Sequence, residues 1–269
     1  MKEEQWKDYF IPYEQAVEEL MVKFQNLSHQ FRMKKIHSPI ELVFGRVKNI
    51  NSIINKAKRY GIQKIDEKIG EYIKDIAGIR IISQFEDDID AVVAMIEQRT
   101  DLTIVEKRDY IRNPKSSGYR SYHVIAEYEV ITAFGTRKIY VEIQLRTMAM
   151  NFWATIEHSL TYKYAGNIPA YIDERLQQAA IASAKLDNEM FQIREEVKQA
   201  QTYYSIYREI RNLIQVIHSL GKANSHKELI EKAHRFMSET KEIEKLQNVK
   251  NELICAIGND KVLMEGDYI

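Results

Sequence analysis

The sequence contains little cysteine, glycine or proline. A single cysteine among 269 residues excludes an internal disulfide framework. Ten glycines and four prolines leave room for long helices, because these residues most often interrupt them. Cys255 lies in the apolar run 253–257, so we expect a buried small side chain there. A chain without disulfides is typical of a reducing compartment, and we therefore expect a cytosolic protein.

An excess of charge is also lacking. Thirty-nine Lys and Arg balance thirty-nine Asp and Glu, so the formal net charge is zero. The whole chain therefore has no general attraction for nucleic acid or membranes, and any anion site must come from local clustering. No apolar stretch approaches the roughly 20 residues that cross a bilayer. The charged start of the chain does not resemble a secretory signal.

Apolar spacing of three or four predicts helices, and alternation predicts strands. The predicted helices cover 5–32 (broken or bent near Pro12), 39–60 (capped by Ser38 with Pro39 in its first turn), 64–73, 87–98, a segment from 147, 169–218 and 226–258. The predicted strands cover 76–83, 102–105, 121–130 and 136–146. This order predicts an α+β fold, with a small mixed sheet surrounded by helices. We expect one domain over 1–200 and a helical C-terminal extension over 201–269.

The strand from Lys138 to Arg146 is the most informative segment. Its apolar residues alternate with polar ones, so Glu142, Gln144 and Arg146 share the face opposite the core. A carboxylate, an amide and a guanidinium in register could hold a metal ion, orient a hydroxyl and clamp a phosphate. A solvated outer face of an antiparallel sheet is the commoner explanation of such alternation.

A second candidate is the predicted basic helix 39–60. On an ideal helix Lys48 and Arg59 lie within about 20° of each other and Lys56 about 80° away, which makes one cationic flank for a polyphosphate. Arg46 falls on another side of that helix. A solvated Lys/Arg face is the alternative.

Asp75 stands at the mouth of the strand that follows it. Together with Glu142 it could bind Mg²⁺ beside substrate phosphates. Its alternative role is a cap for the preceding turn. Gly78, inside this strand, is typical of a close backbone approach.

The loop from Arg108 to Gly118 is rich in charge, and the segment from Lys115 to His123 is polar and carries two tyrosines. Tyr119 could stack on a base, since an aromatic face holds a nucleobase by about 1–3 kcal/mol. A tyrosine at the rim of a pocket and a half-buried histidine are the simpler interpretations of Tyr119 and His123.

Taken together, these segments resemble the synthetase domain of the RelA/SpoT family, and especially the single-domain small alarmone synthetases of the RelQ-like branch. The resemblance covers residues 1 to about 200. It is carried by five ordered motifs, Gly45–Lys48, Asp75–Arg80, Gly118–His123, Val141–Arg146 and Asn151–His158. The family fold is nucleotidyltransferase-like.

The resemblance implies transfer of pyrophosphate from ATP to the 3′-hydroxyl of GDP or GTP. Arg46 and Arg80 would sandwich the adenine. Asp75 and Glu142 would bind Mg²⁺, and Glu142 would also accept the hydroxyl proton. Tyr119 would stack on guanine. The remaining residues implied for the ATP phosphates are Lys48, Lys56 and Arg59, and those implied for GDP or GTP are Arg108, Lys115, His123, Gln144, Arg146, Asn151 and Glu157.

The resemblance also implies a homotetramer and allows binding of single-stranded RNA. RelQ-like relatives, which pppGpp activates, carry basic residues on the first helix where this chain has Met21 and Gln25. This difference argues against activation of this chain by pppGpp. The sequence has no His-Asp dipeptide and no hydrolase domain before the synthetase motifs, so we expect synthesis without hydrolysis. Two alternatives stay open. One is a toxic relative that modifies the 3′ end of tRNA or makes adenosine alarmones, and the other is an RNA-binding regulator with secondary catalysis.

Overall fold

The computed structural model describes residues 3–163, 169–240 and 242–266. The chain divides into two compact units, of which the first ends at Phe191 and the second begins at Gln192. Among the described residues, no helix has the length and apolar character that a membrane crossing requires.

The first unit alternates helices and strands. Its elements are α1 Glu3–Met33, β1 Leu42–Val47, α2 Ile50–Arg59, α3 Ile69–Tyr72, β2 Ala77–Ser83, α4 Glu86–Glu97, β3 Leu102–Asp109, β4 Tyr122–Thr132, β5 Gly135–Thr147, α5 Met148–Lys163 and the beginning of α6 Ala170–Ser219. The strands form one mixed sheet in the order β1-β2-β5-β4-β3. β2 and β5 are parallel and the other neighbours antiparallel. The predicted fold class is confirmed.

Residues 39–60 form a strand and a short helix, so the predicted single helix is wrong. Residues 42–47 add to the sheet edge beside β2, with Phe44 opposite Arg80. The helix begins only at Ile50, because Asn49 caps it by accepting a hydrogen bond from the Ser52 backbone N–H at 2.8 Å. Ser38 is not a helix cap, since its hydroxyl donates to the carbonyl of Ile40 at 2.8 Å.

Gly45 explains how α1 packs on this edge strand. A Cβ at Gly45 would lie 2.4 Å from Met21 Sδ and 2.4 Å from Val17 Cγ1, so only glycine allows this approach. At Gly78, where the sequence suggested a close approach, a Cβ would meet Arg46 Cγ at an ordinary 3.6 Å. Met21 is therefore a packing residue in this chain, whereas Gln25 is exposed.

The other boundaries differ in instructive ways. α1 continues through Pro12, so the predicted break is absent. α3 has four residues, fewer than predicted. β3 extends to Asp109 beyond a bulge between Ile104 and Glu106, which places Arg108 on a strand and not in the loop.

The second unit has a core of its own. The C-terminal part of α6 contributes isoleucines that pack with apolar residues of α7 Lys227–Glu239 and α8 Ile243–Gly266. Its buried members are Ile206, Ile210, Ile214, Ile217, Ile230, Ala233, Met237, Leu246, Val249, Leu253 and Ile257. Cys255 is exposed, so the predicted burial is wrong. The buried positions of α8 recur every three or four residues, and Cys255 falls between them.

Candidate functional site

The pairing of strands brings polar residues from distant parts of the chain into rows, because residues opposite each other in a sheet share a face. One row runs through Arg46, Gly78 and Glu142. The next row crosses all five strands through Phe44, Arg80, Gln144, His123 and Arg108. Arg146 follows Gln144 two positions along β5. The candidate site is therefore one face of the sheet.

Glu142 is the buried carboxylate at the middle of this face. It is 8% exposed, and its two oxygens accept hydrogen bonds from His123 Nδ1 at 3.0 Å and Gln144 Nε2 at 2.7 Å. Burial alone would raise the pKa of Glu142, but the hydrogen bond and electrostatic interaction with His123, the hydrogen bond from Gln144 and the charge of Lys56 outweigh it. Together they lower the pKa of Glu142 to about 2. Glu142 is therefore ionised across the neutral range.

Asp75 is held by two lysines. Its Oδ2 lies 2.7 Å from Lys48 Nζ and 2.8 Å from Lys56 Nζ, while its Oδ1 is buried without a hydrogen-bond partner. Burial would raise the pKa of Asp75, but the hydrogen bonds from both lysines lower it below the usual value. Lys56 also lowers the pKa of Glu142, so one ammonium group interacts with both carboxylates.

The structure thus joins Lys48 to Lys56 through Asp75, although Lys48 lies in the connection between β1 and α2 and only Lys56 lies on the helix. Arg59 is exposed in the last turn of α2 and is not among the described ion-pair partners of Asp75. The predicted cationic flank of three residues on a single helix is therefore wrong in its geometry. Two of its members nevertheless face the same carboxylate.

Three arginines concentrate positive charge beside Glu142. Burial and the charges of Arg146 and Arg46 lower the pKa of the Arg80 guanidinium. Arg80 Nε is also buried without a hydrogen-bond partner. Like charges held together around an unsatisfied donor make a site that an anion or an electron-rich ring would stabilise.

The loop after β3 adds a chain of hydrogen bonds. Arg146 Nη2 donates to the Tyr119 hydroxyl at 2.7 Å, and that hydroxyl lies 2.8 Å from His123 Nε2. Because an ionised Glu142 only accepts, His123 donates from Nδ1, and in a neutral imidazole Nε2 then accepts from Tyr119. The chain Arg146–Tyr119–His123–Glu142 links the loop to the centre of the sheet.

The ring of Tyr119 carries two cations in this structure. Lys115 Nζ lies 4.9 Å and Arg146 Cζ 5.2 Å from its centroid. Lys115 also lies 4.6 Å from the ring of Tyr110, a residue that sequence reasoning missed. The sequence signal for Tyr110 was its position, since Tyr110 and Tyr119 flank the loop that carries Lys115. A base that stacks on Tyr119 would have to displace one of these cations from the ring.

The remaining predicted residues lie further from this chain of contacts. Arg108 shares the row of His123, but its guanidinium pairs with Glu106 at 2.6 Å. Asn151, on α5, has a buried Oδ1 without a hydrogen-bond partner. Glu157 lies on the same helix and is half-buried.

The residues present fit a magnesium ion. Mg²⁺ is commonly bound by one or two carboxylates, with water and substrate phosphates completing its shell. Asp75 Oδ1 is an unsatisfied buried acceptor, and Glu142 is ionised. Among the described ranges, no group of three or more His, Cys, Asp or Glu forms an all-protein cage. Asp75 and Glu142 would therefore be the protein ligands, with the remainder supplied from outside.

Comparison with known proteins places this geometry in a family. The pattern described as the region found in RelA / SpoT proteins matches residues 45–167. The chain is 50% identical over 205 residues to the GTP pyrophosphokinase YjbM of Bacillus subtilis, covering 76% of this chain and 96% of that protein. It is 40% identical to the GTP pyrophosphokinase YwaC of the same organism, covering 72% and 92%.

Solved structures agree. The small alarmone synthetase 1 of Bacillus subtilis bound to its product pppGpp has a TM-score of 0.69 at 51% identity, with 72% of this chain and 99% of that chain covered. A GTP pyrophosphokinase family protein from Streptococcus pneumoniae has a TM-score of 0.69 at 48% identity, covering 75% and 98%. The chain belongs to the RelA/SpoT family, and within it to the small alarmone synthetases.

Proposed function

We propose that this protein is a GTP pyrophosphokinase. It transfers the β,γ-pyrophosphate of ATP to the 3′-hydroxyl of GDP or GTP, which yields ppGpp or pppGpp and releases AMP. The observation that carries this proposal is an ionised, buried Glu142 on a sheet face lined with cations, in a chain that is 50% identical to a GTP pyrophosphokinase.

The donor nucleotide would occupy the β1–β2 side of this face. Arg46 and Arg80 would enclose the adenine, since they lie on paired strands and the charge of Arg46 acts on the Arg80 guanidinium. Lys48 and Lys56 would exchange part of their pairing with Asp75 for the phosphates. Neutralising phosphate charge and holding the reactants in line is most of what phosphoryl-type transfer needs.

The acceptor would occupy the β4–β5 side. Tyr119 would hold the guanine, while Lys115 and His123 would contact the acceptor phosphates. Each oxygen of Glu142 accepts one hydrogen bond and keeps a second lone pair, so one oxygen can receive the 3′-hydroxyl proton. The new bond joins that hydroxyl oxygen to the β-phosphorus, and the bond from the β-phosphorus to the oxygen of AMP breaks.

We propose Mg²⁺ as the cofactor, with Asp75 and Glu142 as its ligands. When bound, it would neutralise charge on the transferred phosphates. The unsatisfied Asp75 Oδ1 supports this assignment. A cytosolic location, a tetramer and binding of RNA stay predictions from the sequence.

The test is a product assay with ATP, Mg²⁺ and, in turn, GMP, GDP and GTP. We expect AMP and a 3′-pyrophosphorylated guanosine nucleotide in equal amounts. Parallel reactions with tRNA, ATP or ADP as acceptor test the alternatives left open by the sequence. Transfer to one of those acceptors but not to a guanine nucleotide would contradict the proposal.

A further inference from the structure

Arg120 follows Tyr119 in the chain but contacts a different part of the first unit. Its Nη2 donates to Glu86 Oε1 at the start of α4, and its Nη1 lies 3.8 Å from Asp187 Oδ2 on α6. The Arg120 side chain is 15% exposed, and Nη1 is buried with no partner at hydrogen-bond distance. Arg120 therefore ties the loop to two helices while Tyr119 faces the site.

One face of α6 lies against the same loop. Gln177 Nε2 donates to the carbonyl of Ser116 at 3.0 Å. A Cβ at Gly118, whose φ is +86°, would lie 2.5 Å from Ala180 Cβ, so helix and loop are in tight contact. Positions 177, 180 and 187 lie within about 80° of one another on a helix, which makes these contacts one surface.

The same face of α6 also reaches the end of β5 and helix α5. Thr147 Oγ1 donates to Asp187 Oδ2 at 2.8 Å, directly after Arg146. Trp153 Nε1 donates to the carbonyl of Leu176 at 2.9 Å, and Tyr119 packs against Trp153 and Ala180. These residues of α6 lie outside the region 45–167 that the family pattern matches.

We propose that Arg120, held between Glu86 and Asp187, is a positioning residue that fixes Tyr119 for the guanine acceptor, with this face of α6 as its support. This inference rests on the proposed function, because it names what holds the acceptor half of that site. The ion pairs of Arg120 with the carboxylates of Glu86 and Asp187 explain why the side chain is held in place. An arginine this well covered needs its carboxylates, since removing one leaves a poorly compensated buried charge.

The principal test is Arg120→Gln. We expect the KM for GDP to rise about tenfold, because small misplacement of a binding group is costly, while the KM for ATP changes less than about twofold. Arg120→Lys keeps the charge beside Glu86 and should restore much of the GDP affinity. Arg112→Gln is the matched control, since Arg112 is an exposed arginine in the same loop. It should leave both values unchanged.

Two further variants test α6. Asp187→Asn should raise the KM for GDP several-fold, whereas Asp173→Asn, an exposed aspartate on the same helix, should not. Ala180→Leu would clash with Gly118 and should also raise the KM for GDP. Ala182→Leu, at an exposed position of the same helix, is its control. If Arg120→Gln does not fold, these variants carry the test.

Calorimetric titration with GDP in the absence of ATP measures the same effect without turnover. Weaker GDP binding by Arg120→Gln with an unchanged melting temperature supports the inference. Unchanged GDP binding by Arg120→Gln, or equal weakening of GDP and ATP by all the variants, overturns it. A wild-type protein that binds GDP but makes no alarmone would refute the proposed function alone, so the two failures are distinguishable.

Discussion

The two halves of the sheet face differ in how completely their polar groups are satisfied. On the β1–β2 side, Asp75 Oδ1 and Arg80 Nε are buried without partners. Burial and the charges of Arg146, on β5, and Arg46 lower the pKa of the Arg80 guanidinium. On the β4–β5 side, Arg146, Tyr119, His123 and Glu142 form a continuous chain of hydrogen bonds. Buried polar groups are normally paired, so the first half is incomplete until a charged ligand arrives.

This difference suggests that the two substrates meet different kinds of site. In the β1–β2 half, charged groups are buried without full compensation, and phosphates and a metal ion would compensate them. Binding of the donor nucleotide there should therefore depend strongly on charge. The β4–β5 half is already ordered by its hydrogen bonds. Binding of the acceptor nucleotide there should therefore depend on shape and on the placement of the Tyr119 ring. Four variants test this contrast, in order of decreasing expected effect.

Glu142→Gln should have the largest effect. It removes the charge and the proton acceptor, so we expect kcat to fall by about 10²–10⁴-fold while ATP still binds. The rate is measured by AMP release and ATP binding by calorimetry. Glu129→Gln, an exposed glutamate on β4, is the control. Turnover within about threefold of the wild type would remove Glu142 from the chemistry.

Lys56→Ala should weaken the donor half. Losing a hydrogen bond to a charged group costs about 1.5–3 kcal/mol, so the KM for ATP should rise about 10- to 150-fold. The KM for GDP should change little. Lys58→Ala, an exposed lysine two positions away, should be silent. A loss confined to GDP would mean that the donor and acceptor sides are assigned the wrong way round.

Tyr119→Ala should affect the acceptor half alone. Loss of base stacking of about 1–3 kcal/mol predicts a rise in the KM for GDP of about 5- to 150-fold. Tyr119→Phe keeps the ring and loses only the hydroxyl, so its effect should be much smaller. If the two variants are equally impaired, the hydroxyl bonds to His123 and Arg146 matter and stacking does not.

Asp187 gives a smaller, pH-dependent effect on stability. Burial raises its pKa from 3.8 to about 6, outweighing the hydrogen bond from Thr147. The protonated form is thus favoured in the folded state. The contribution of protonated Asp187 to the free energy of unfolding is complete below pH 3.8 and is lost as the pH rises through 6. Asp187→Asn avoids that loss, so its stability relative to the wild type should increase between pH 4 and pH 7 by up to about 3 kcal/mol.

Denaturant unfolding at several pH values measures this difference, with Asp173→Asn as the control. A stability difference that stays constant across this range would contradict the burial of an ionisable Asp187. A variant that is more stable at pH 7 yet binds GDP less well would separate the support of Tyr119 from general folding.

The sequence predicted the face of β5 well because a period of two is a direct consequence of strand geometry. Ile139, Val141, Ile143 and Leu145 are all in the core, and Glu142 and Gln144 face the site as predicted. The motifs that carry the family resemblance were equally informative, and the comparisons confirmed the family.

The segment 39–60 shows where sequence reasoning failed. Its apolar residues have the spacing of a helix, but residues 42–47 form a strand that pairs with β2. Such long-range pairing overrides local propensity and leaves no local signal. The contacts of Arg120 with Glu86 and Asp187 were missed for a related reason, since they join positions far apart in the chain. Tyr110 contacts Lys115 and Tyr119 close by in the sequence, but it lies outside the motifs that carry the resemblance.

The single parallel pairing described in the sheet, between β2 and β5, has a consequence for the order of folding. β4 and β5 join through a tight hairpin and can pair early, because the loop to be closed is short. β2 must wait for a crossover through α4, β3 and β4 before Gly78 meets Glu142. Contacts that close long loops form slowly, so we expect the acceptor side to take shape first and a nascent chain to bind no ATP until β5 has been synthesised.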